Sequence, residues 1–135
     1  MTTVTVKASQ TYDVKIGRGL LDTLGEEAAR AFQGRTVCIV SDTNVAPHYL
    51  SQATHSLERA GFTVLAFVFP AGEEHKNGHT YLSLLEYLAQ EHLTRADGLV
   101  AAANPVRSPT TPPPRATNPS ARVRCSWARY SSRER

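Results

Sequence analysis

Two short polar stretches in this 135-residue chain hold side chains of the kinds that bind small molecules. The first is Asp42-Thr43-Asn44, which directly follows the apolar run TVCIVS at 36–41. A carboxylate and an amide at the C-terminal end of a strand can hydrogen-bond ribose hydroxyls, as the acidic residue of a Rossmann site does. The same residue types also cap a following helix, and on pattern alone capping is the plainer reading. The second stretch is P-A-G-E-E-H-K-N, in which Glu73 and Lys76 stand three apart. An acid and an amine flanking a helix start could hold a ribose and a phosphate. Solvated first-turn charges look the same in sequence. His75 and His79 have the spacing of two metal ligands on one helical face, but neither an H-E-x-x-H pattern nor a cysteine accompanies them. No metal ligand and no catalytic residue is assigned. Cys38, inside the apolar run, reads as a small buried thiol.

These stretches must be positioned by the elements around them. Thr and Val alternate with period two over 2–7, and 12–16 continues in the same style. Two short strands with a turn near 8–10 are expected, as an antiparallel pair. Leu20, Leu21, Leu24, Ala28 and Phe32 fall at helical spacing, with Glu26 and Glu27 on the other face and Gly34 as a C′ residue. The β-branched run at 36–41 has the pattern of a strand buried on both faces. A helix is expected over about 45–60, with Pro47 in its first turn and Gly61 ending it. FTVLAFVF at 62–69 reads as another buried strand. Leu82, Leu84, Leu85, Leu88 and Leu93 mark a helix over about 78–91, and DGLVAA at 97–102 starts one more strand.

Strands alternating with helices imply βαβ units, hence an α/β fold with a mostly parallel sheet and flanking helices. Ligands on such sheets bind beyond the C-terminal ends of the strands. The loops at 41–44 and 70–77 are therefore the ones that matter by position. No G-x-G-x-x-G follows any of these strands, so the standard dinucleotide fingerprint is absent.

Composition divides the chain in two. Residues 1–100 hold 8 Lys/Arg against 11 Asp/Glu, a net of −3, with all five histidines. Residues 101–135 hold seven arginines against one glutamate, a net of +6, with six of the eight prolines and no Leu, Ile, Phe or Lys. The basic isoelectric point near 9.1 thus belongs to the tail, and net charge does not mark the domain as a nucleic-acid binder. No run approaches the roughly 18 apolar residues of a membrane span. The start lacks the basic and apolar regions of a secretory signal, and with two separated cysteines a cytoplasmic setting is the default.

Taken together, V-S-D-T-N-V at 40–45, F-P-A-G-E-E-H-K at 69–76 and L-T-R-A-D-G-L-V-A at 93–101 resemble the N-terminal domain of the 3-dehydroquinate synthases. Y-D-V-K-I-G-R-G-L-L at 12–21 is similar to that family as well. The resemblance covers about residues 1–101 and implies an incomplete Rossmann-like domain that holds NAD. It assigns Asp42, Thr43, Asn44, Glu73 and Lys76 to the adenosine and ribose portions, with Ala71, Gly72, Glu74 and His75 as loop backbone. It further implies a sugar-phosphate substrate, 3-deoxy-arabino-heptulosonate 7-phosphate, converted to 3-dehydroquinate on the shikimate route to aromatic amino acids. A divalent metal such as zinc or cobalt, and a homodimer, are also implied for the intact family.

The chain then departs from that pattern. Where the family continues with G-G-G-V-x-x-D against the pyrophosphate, this sequence reads A-A-N-P-V-R-S-P. The family's metal ligands and substrate-phosphate residues have no counterpart, so the chain is expected to be inactive as written. Residues 102–135 are expected to be a disordered Pro/Arg-rich tail, because such a composition cannot bury enough surface to offset ordering entropy. A frameshift in a GC-rich gene is the favoured origin. The rivals are a fragment of another sugar-phosphate cyclase, and a non-enzymatic module whose basic tail binds nucleic acid.

Overall fold

A computed structural model of the chain describes residues 1–103. The Pro/Arg-rich tail expected over 102–135 lies, from residue 104 onward, outside the described residues. Strands β1 (Thr2–Lys7) and β2 (Thr11–Ile16) form the expected antiparallel hairpin, with Val4 opposite Val14. It is a sheet of its own. Lys15 ties it to the body through an ion pair with Glu27, which also accepts from Arg30 at 3.2 Å.

The body alternates as the periodicity requires: helix α1 (Leu24–Ala31), strand β3 (Thr36–Asp42), helix α2 (Ala46–Arg59), strand β4 (Thr63–Phe69), helix α3 (Gly78–Gln90) and strand β5 (Gly98–Ala102). The three strands are parallel in the order β4-β3-β5. β3 is central, and Val37, Cys38 and Ile39 are buried completely, as its β-branched run demands. Val37 and Ile39 face α1 and α2 and join Leu24, Ala28, Val45, Ala53, Leu57 and Val100 in one core. The opposite face takes α3, where Tyr87 meets Phe67 at a ring-centroid distance of 5.6 Å.

Three expectations are corrected. β4 is an edge strand, with a parallel neighbour on one side only among the described residues, and none of its side chains is fully buried. The first turn expected for α1 is a series of tight turns instead, with the amides of Asp22, Thr23 and Leu24 reaching three residues back. Gly34 is no left-handed cap. Its amide bonds the Ala96 carbonyl at 2.7 Å, and the carboxylate of Asp97 fills the space a side chain would need. By contrast Pro47 opens α2, and Gly61, at φ +93°, ends it as expected.

Two polar devices lock this body. The Gly25 amide donates to Ser56 Oγ at 3.1 Å, and Ser56 donates in turn to the Asp22 carbonyl at 2.9 Å. α1 thereby lies so close to α2 that a Cβ at Gly25 would run into the Ser56 carbonyl oxygen. The second device is Asp97, which accepts from the Thr36 amide at 3.2 Å and from the Thr94 amide and hydroxyl at 2.8 and 3.0 Å. Burial raises its carboxyl, but the bonds from Thr94, Thr36 and Arg35 outweigh that and hold it below its ordinary value.

Gly25→Ala is expected to destabilise the chain by about 1–3 kcal/mol through overpacking, read as a lowered denaturant midpoint. For Asp97 the sign is that of a depressed acid: its contribution is present above its unfolded value, near pH 4, and is lost as pH falls through the folded one. The stability gap between the natural chain and Asp97→Asn should therefore be widest near pH 7 and shrink toward pH 3. A gap that stays constant over that range would remove Asp97 as the cause.

Candidate functional site

Strands β3 and β4 are neighbours, yet their onward connections leave to opposite faces of the sheet, β3 to α2 and β4 to α3. Adjacent parallel strands that diverge in this way open a crevice at their C-terminal ends. The two stretches singled out by residue type, 42–44 and 70–77, are the loops that border this crevice. Topology alone brings them together.

Hydrogen bonds then fix their spacing. The Thr43 amide donates to the Phe69 carbonyl at 3.0 Å, and Thr43 Oγ1 accepts from the Ala71 amide at 3.0 Å. Asp42 Oδ1 accepts from the amides of Asn44 and Val45, at 2.8 and 2.9 Å. Asp42 therefore closes the turn at 42–45 that leads into α2, while the helix's own N-cap, Val45, makes no side-chain cap bond. Both amide bonds fall on Oδ1, so the turn leaves Oδ2 as a further acceptor for a ligand. Asn44 is exposed.

In the second loop Gly72 takes φ +119°, ψ 145°, a conformation open essentially to glycine alone. It turns the chain into a single 3-10 turn at Glu73–His75. Lys76 Nζ donates to Glu73 Oε1 at 2.7 Å, and that bond, with the nearby charges of Glu73 and Asp42, raises the amine above its ordinary value. Both side chains are open to water, at 46% for Lys76 and 78% for Glu73, so a ligand can replace the pair at small cost. Asn77 closes the loop. Its side chain accepts from the Thr80 amide at 3.0 Å, capping α3, and donates to the Glu74 carbonyl at 2.7 Å.

A cavity of about 280 Å³ adjoins this loop on the α3 face. Val40, Phe67, Phe69 and Leu84 form apolar walls, and Lys76, Asn77, Thr80 and Tyr81 complete the lining. Such a volume suits a small flat group, with the amine and amide available to its polar edge. Residue types in the loops do not single out Asn77, Thr80, Tyr81 and Leu84. Their spacing does: positions three and four apart on one helix share a face.

His75 and His79 do not form a helical pair. His75 belongs to the 3-10 turn and α3 starts only at Gly78, so the four-residue spacing spans a break. Glu74 lies 3.8 Å from His75. Among the described residues no group of three His, Cys, Asp or Glu could hold a metal ion. Cys38 is a free thiol that burial pushes up to about 11, which makes it inert at neutral pH. Likewise, among the described residues no helix is long and apolar enough to cross a membrane.

No protein-family model matches the chain. It is, however, homologous over three quarters of its length to curated proteins named 3-dehydroquinate synthase. One, from Latilactobacillus sakei subsp. sakei (strain 23K), is 39% identical over 102 residues, which are 75% of this chain and 29% of that protein. Others come from Lactiplantibacillus plantarum, at 38% identity over 102 residues, and from Streptococcus pneumoniae (strain ATCC 700669 / Spain 23F-1), at 42% over 90 residues. The chain spans 28% and 25% of their lengths, under a third in every case. Among solved structures it is similar to 2-deoxy-scyllo-inosose synthase, with a TM-score of 0.64, 20% identity, and coverage of 73% of this chain and 28% of that one. A second structure of that enzyme, complexed with carbaglucose-6-phosphate, NAD+ and Co2+, matches with the same TM-score. At this identity the likeness concerns the fold, an α/β sheet with flanking helices.

Gly72→Ala tests the loop geometry. A Cβ there demands an unfavourable backbone and meets the Glu74 carboxylate. Amide exchange across 71–77 should quicken while the melting temperature of the body moves little, since the loop lies outside the core. Unchanged exchange in that segment would mean that Gly72 does not set the loop.

Proposed function

We propose that residues 1–103 bind the adenosine half of NAD, as the nucleotide-holding part of a sugar-phosphate cyclase of the 3-dehydroquinate synthase kind. The observation that carries this reading is the bond between Thr43 and Ala71, which fastens the D-T-N turn to the G-E-x-x-K loop across the crevice between β3 and β4. Homology at about 40% identity to proteins of that name supports it. So does the complex of a fold neighbour with NAD+ and Co2+.

The residues fit one half of the cofactor better than the other. Asp42 and Glu73 supply carboxylates, and Asn44 an amide, for a pair of ribose hydroxyls. Lys76 offers a cation to a phosphate, and Gly72 lets the backbone approach without a side chain. Ala71, Glu74 and His75 complete the loop as backbone. From the last residue of β5 onward the sequence reads A-A-N-P, at 102–105, where the resemblance calls for glycines against the pyrophosphate. That half of the site is not matched by residue type. When bound, NAD supplies a transient oxidation of a ring carbinol, and the part assigned here to Asp42, Asn44, Glu73 and Lys76 is to hold and orient it.

The whole-enzyme reaction proposed with this reading converts 3-deoxy-arabino-heptulosonate 7-phosphate to 3-dehydroquinate and phosphate, in the cytoplasm. A divalent metal such as zinc or cobalt belongs to that reaction. The described residues do not provide a ligand set for one, so no step is routed through it. Residues 1–103 are therefore assigned binding and not turnover. A related cyclase chemistry, such as that of the fold neighbour, is the second reading, ranked lower because identity there is only 20%.

Titration of the chain with NAD, ADP-ribose and nicotinamide mononucleotide, followed by amide chemical shifts, tests this. NAD and ADP-ribose should bind in the millimolar range, about −4 kcal/mol, and perturb 42–45 and 71–77. Lys76→Ala should weaken both about tenfold, and the mononucleotide should leave these amides unmoved. No perturbation by NAD at several millimolar, or equal perturbation by the mononucleotide, would sink the proposal.

A further inference from the structure

Asparagine followed by glycine is among the most reactive dipeptides in a polypeptide, because the glycine amide can turn back on the side chain. The chain holds four asparagines, and only Asn77-Gly78 is such a pair. Asn44 precedes the β-branched Val45, which crowds the approach, and Asn104 and Asn118 precede prolines, which have no amide N–H. Asp97-Gly98 has comparable chemistry but is locked. Its carboxylate accepts from Thr36 and Thr94, and Gly98 is buried so closely that a Cβ would run into the Phe32 ring.

Asn77-Gly78 lies open. Both residues are exposed, and nothing lies within 4 Å of the point that a Cβ of Gly78 would occupy. Gly78 is the first residue of α3, so its amide has no acceptor within the helix. Asn77 is extended, at φ −130° and ψ 177°, and its side chain is held by the Thr80 amide and the Glu74 carbonyl. Ring closure requires those two bonds to be released. α3 permits this at low cost, because it buries no residue fully and a helix frays most easily at its first turn.

We propose that Asn77 is a site of spontaneous deamidation through a cyclic imide, which turns an amide of the cavity wall into a carboxylate and, as isoaspartate, uncaps α3. A base removes the Gly78 amide proton, and the nitrogen attacks Asn77 Cγ. The Cγ–Nδ2 bond breaks, ammonia departs, and a five-membered imide joins the two residues. Water then opens the ring at either carbonyl, with no change of oxidation state. Opening at one carbonyl gives aspartate, which keeps an oxygen for the Thr80 amide. Opening at the other gives isoaspartate, whose main chain runs through the former side chain. It is longer by one carbon, and its carboxylate sits on Cα, so the bond that caps α3 is lost. Either product adds a negative charge directly after Lys76, in the lining of the cavity. This modification is independent of which ligand the crevice takes.

Storage of the full 135-residue chain at mildly alkaline pH, followed by mass mapping, tests the assignment. Glutamyl endopeptidase, used at acidic pH to suppress reaction during digestion, releases residues 75–86, in which Asn77 is the sole asparagine. That peptide should gain the mass difference between amide and acid and split into aspartyl and isoaspartyl forms, with matching release of ammonia. Its rate should lie within about tenfold of that of the synthetic peptide 75–86, since the first turn opens readily. Gly78→Ala should slow it at least about tenfold, because a Cβ hinders the closing ring. Asn44 and Asp97 should stay unmodified over the same period. In the isoaspartyl fraction amide exchange across 78–84 should quicken, whereas Asn77→Asp, which keeps a capping oxygen, should match the natural chain. A native chain more than about a hundredfold slower than the peptide, a rate indifferent to Gly78→Ala, or undisturbed exchange in the isoaspartyl fraction would each overturn the proposal.

Discussion

The double pairing of β3 is the constraint on which the rest of the structure depends. Its seven residues, Thr36–Asp42, pair with β4 along one edge, and Val37–Ser41 pair with β5 along the other. A strand with two parallel neighbours and a helix over each face has no route to water, so its side chains must be apolar or internally satisfied. Val37, Cys38 and Ile39 meet the first condition and Ser41 the second, by donating to the Ala102 carbonyl at 3.0 Å. Asp42 then ends the strand by turning its carboxylate onto the Asn44 and Val45 amides of the turn before α2. The candidate site begins at the residue where burial stops.

From there the chemistry follows from topology more than from the loops themselves. Divergence of α2 and α3 to opposite faces leaves the crevice, and Thr43 spans it with one hydrogen bond given and one accepted. The charges inside it are arranged cheaply. Glu73 and Lys76 neutralise each other in water, where such a pair contributes little to stability. A ligand that replaces one partner therefore faces a small penalty. Deeply buried charges at the same place would have been rigid but costly to release.

How much of this the sequence discloses depends on whether a feature is local. β3, α2 and α3 are readable because a β-branched run, Pro47, Gly61 and a leucine repeat act over a few residues. The position of β4 at an edge is not readable, since FTVLAFVF is equally apolar in the middle of a sheet; strand order decides, and that is a long-range outcome. Gly34 misleads for the same reason. It follows a helix, as a cap would, but its smallness serves an approach to Asp97, sixty-odd residues on. At the site, Asp42, Thr43, Glu73 and Lys76 stand out by type, and family resemblance names their role. The bond from Ala71 to Thr43 and the Tyr81 and Leu84 walls needed the helices in place.

The two faces of the sheet are unequal, and that inequality reaches the site. α1 and α2 close one face over a core in which Leu24, Ala28, Ala53 and Leu57 are nearly or wholly buried. α3 buries no residue completely, and Tyr81 and Leu82 stay 61% and 59% exposed. Local opening is easiest where little apolar surface is buried, so α3 should undock from the sheet before α2 does. Lys76 and Asn77 sit at the N-terminal end of α3, whereas Asp42 and Asn44 sit at the entrance to α2. One side of the crevice is thus anchored to the stable layer and the other to the loose one. A ligand that bridges Asp42 and Lys76 must hold α3 against the sheet, and part of its binding free energy is spent on that ordering. Affinity at this site is therefore coupled to whatever else covers the outer surface of α3.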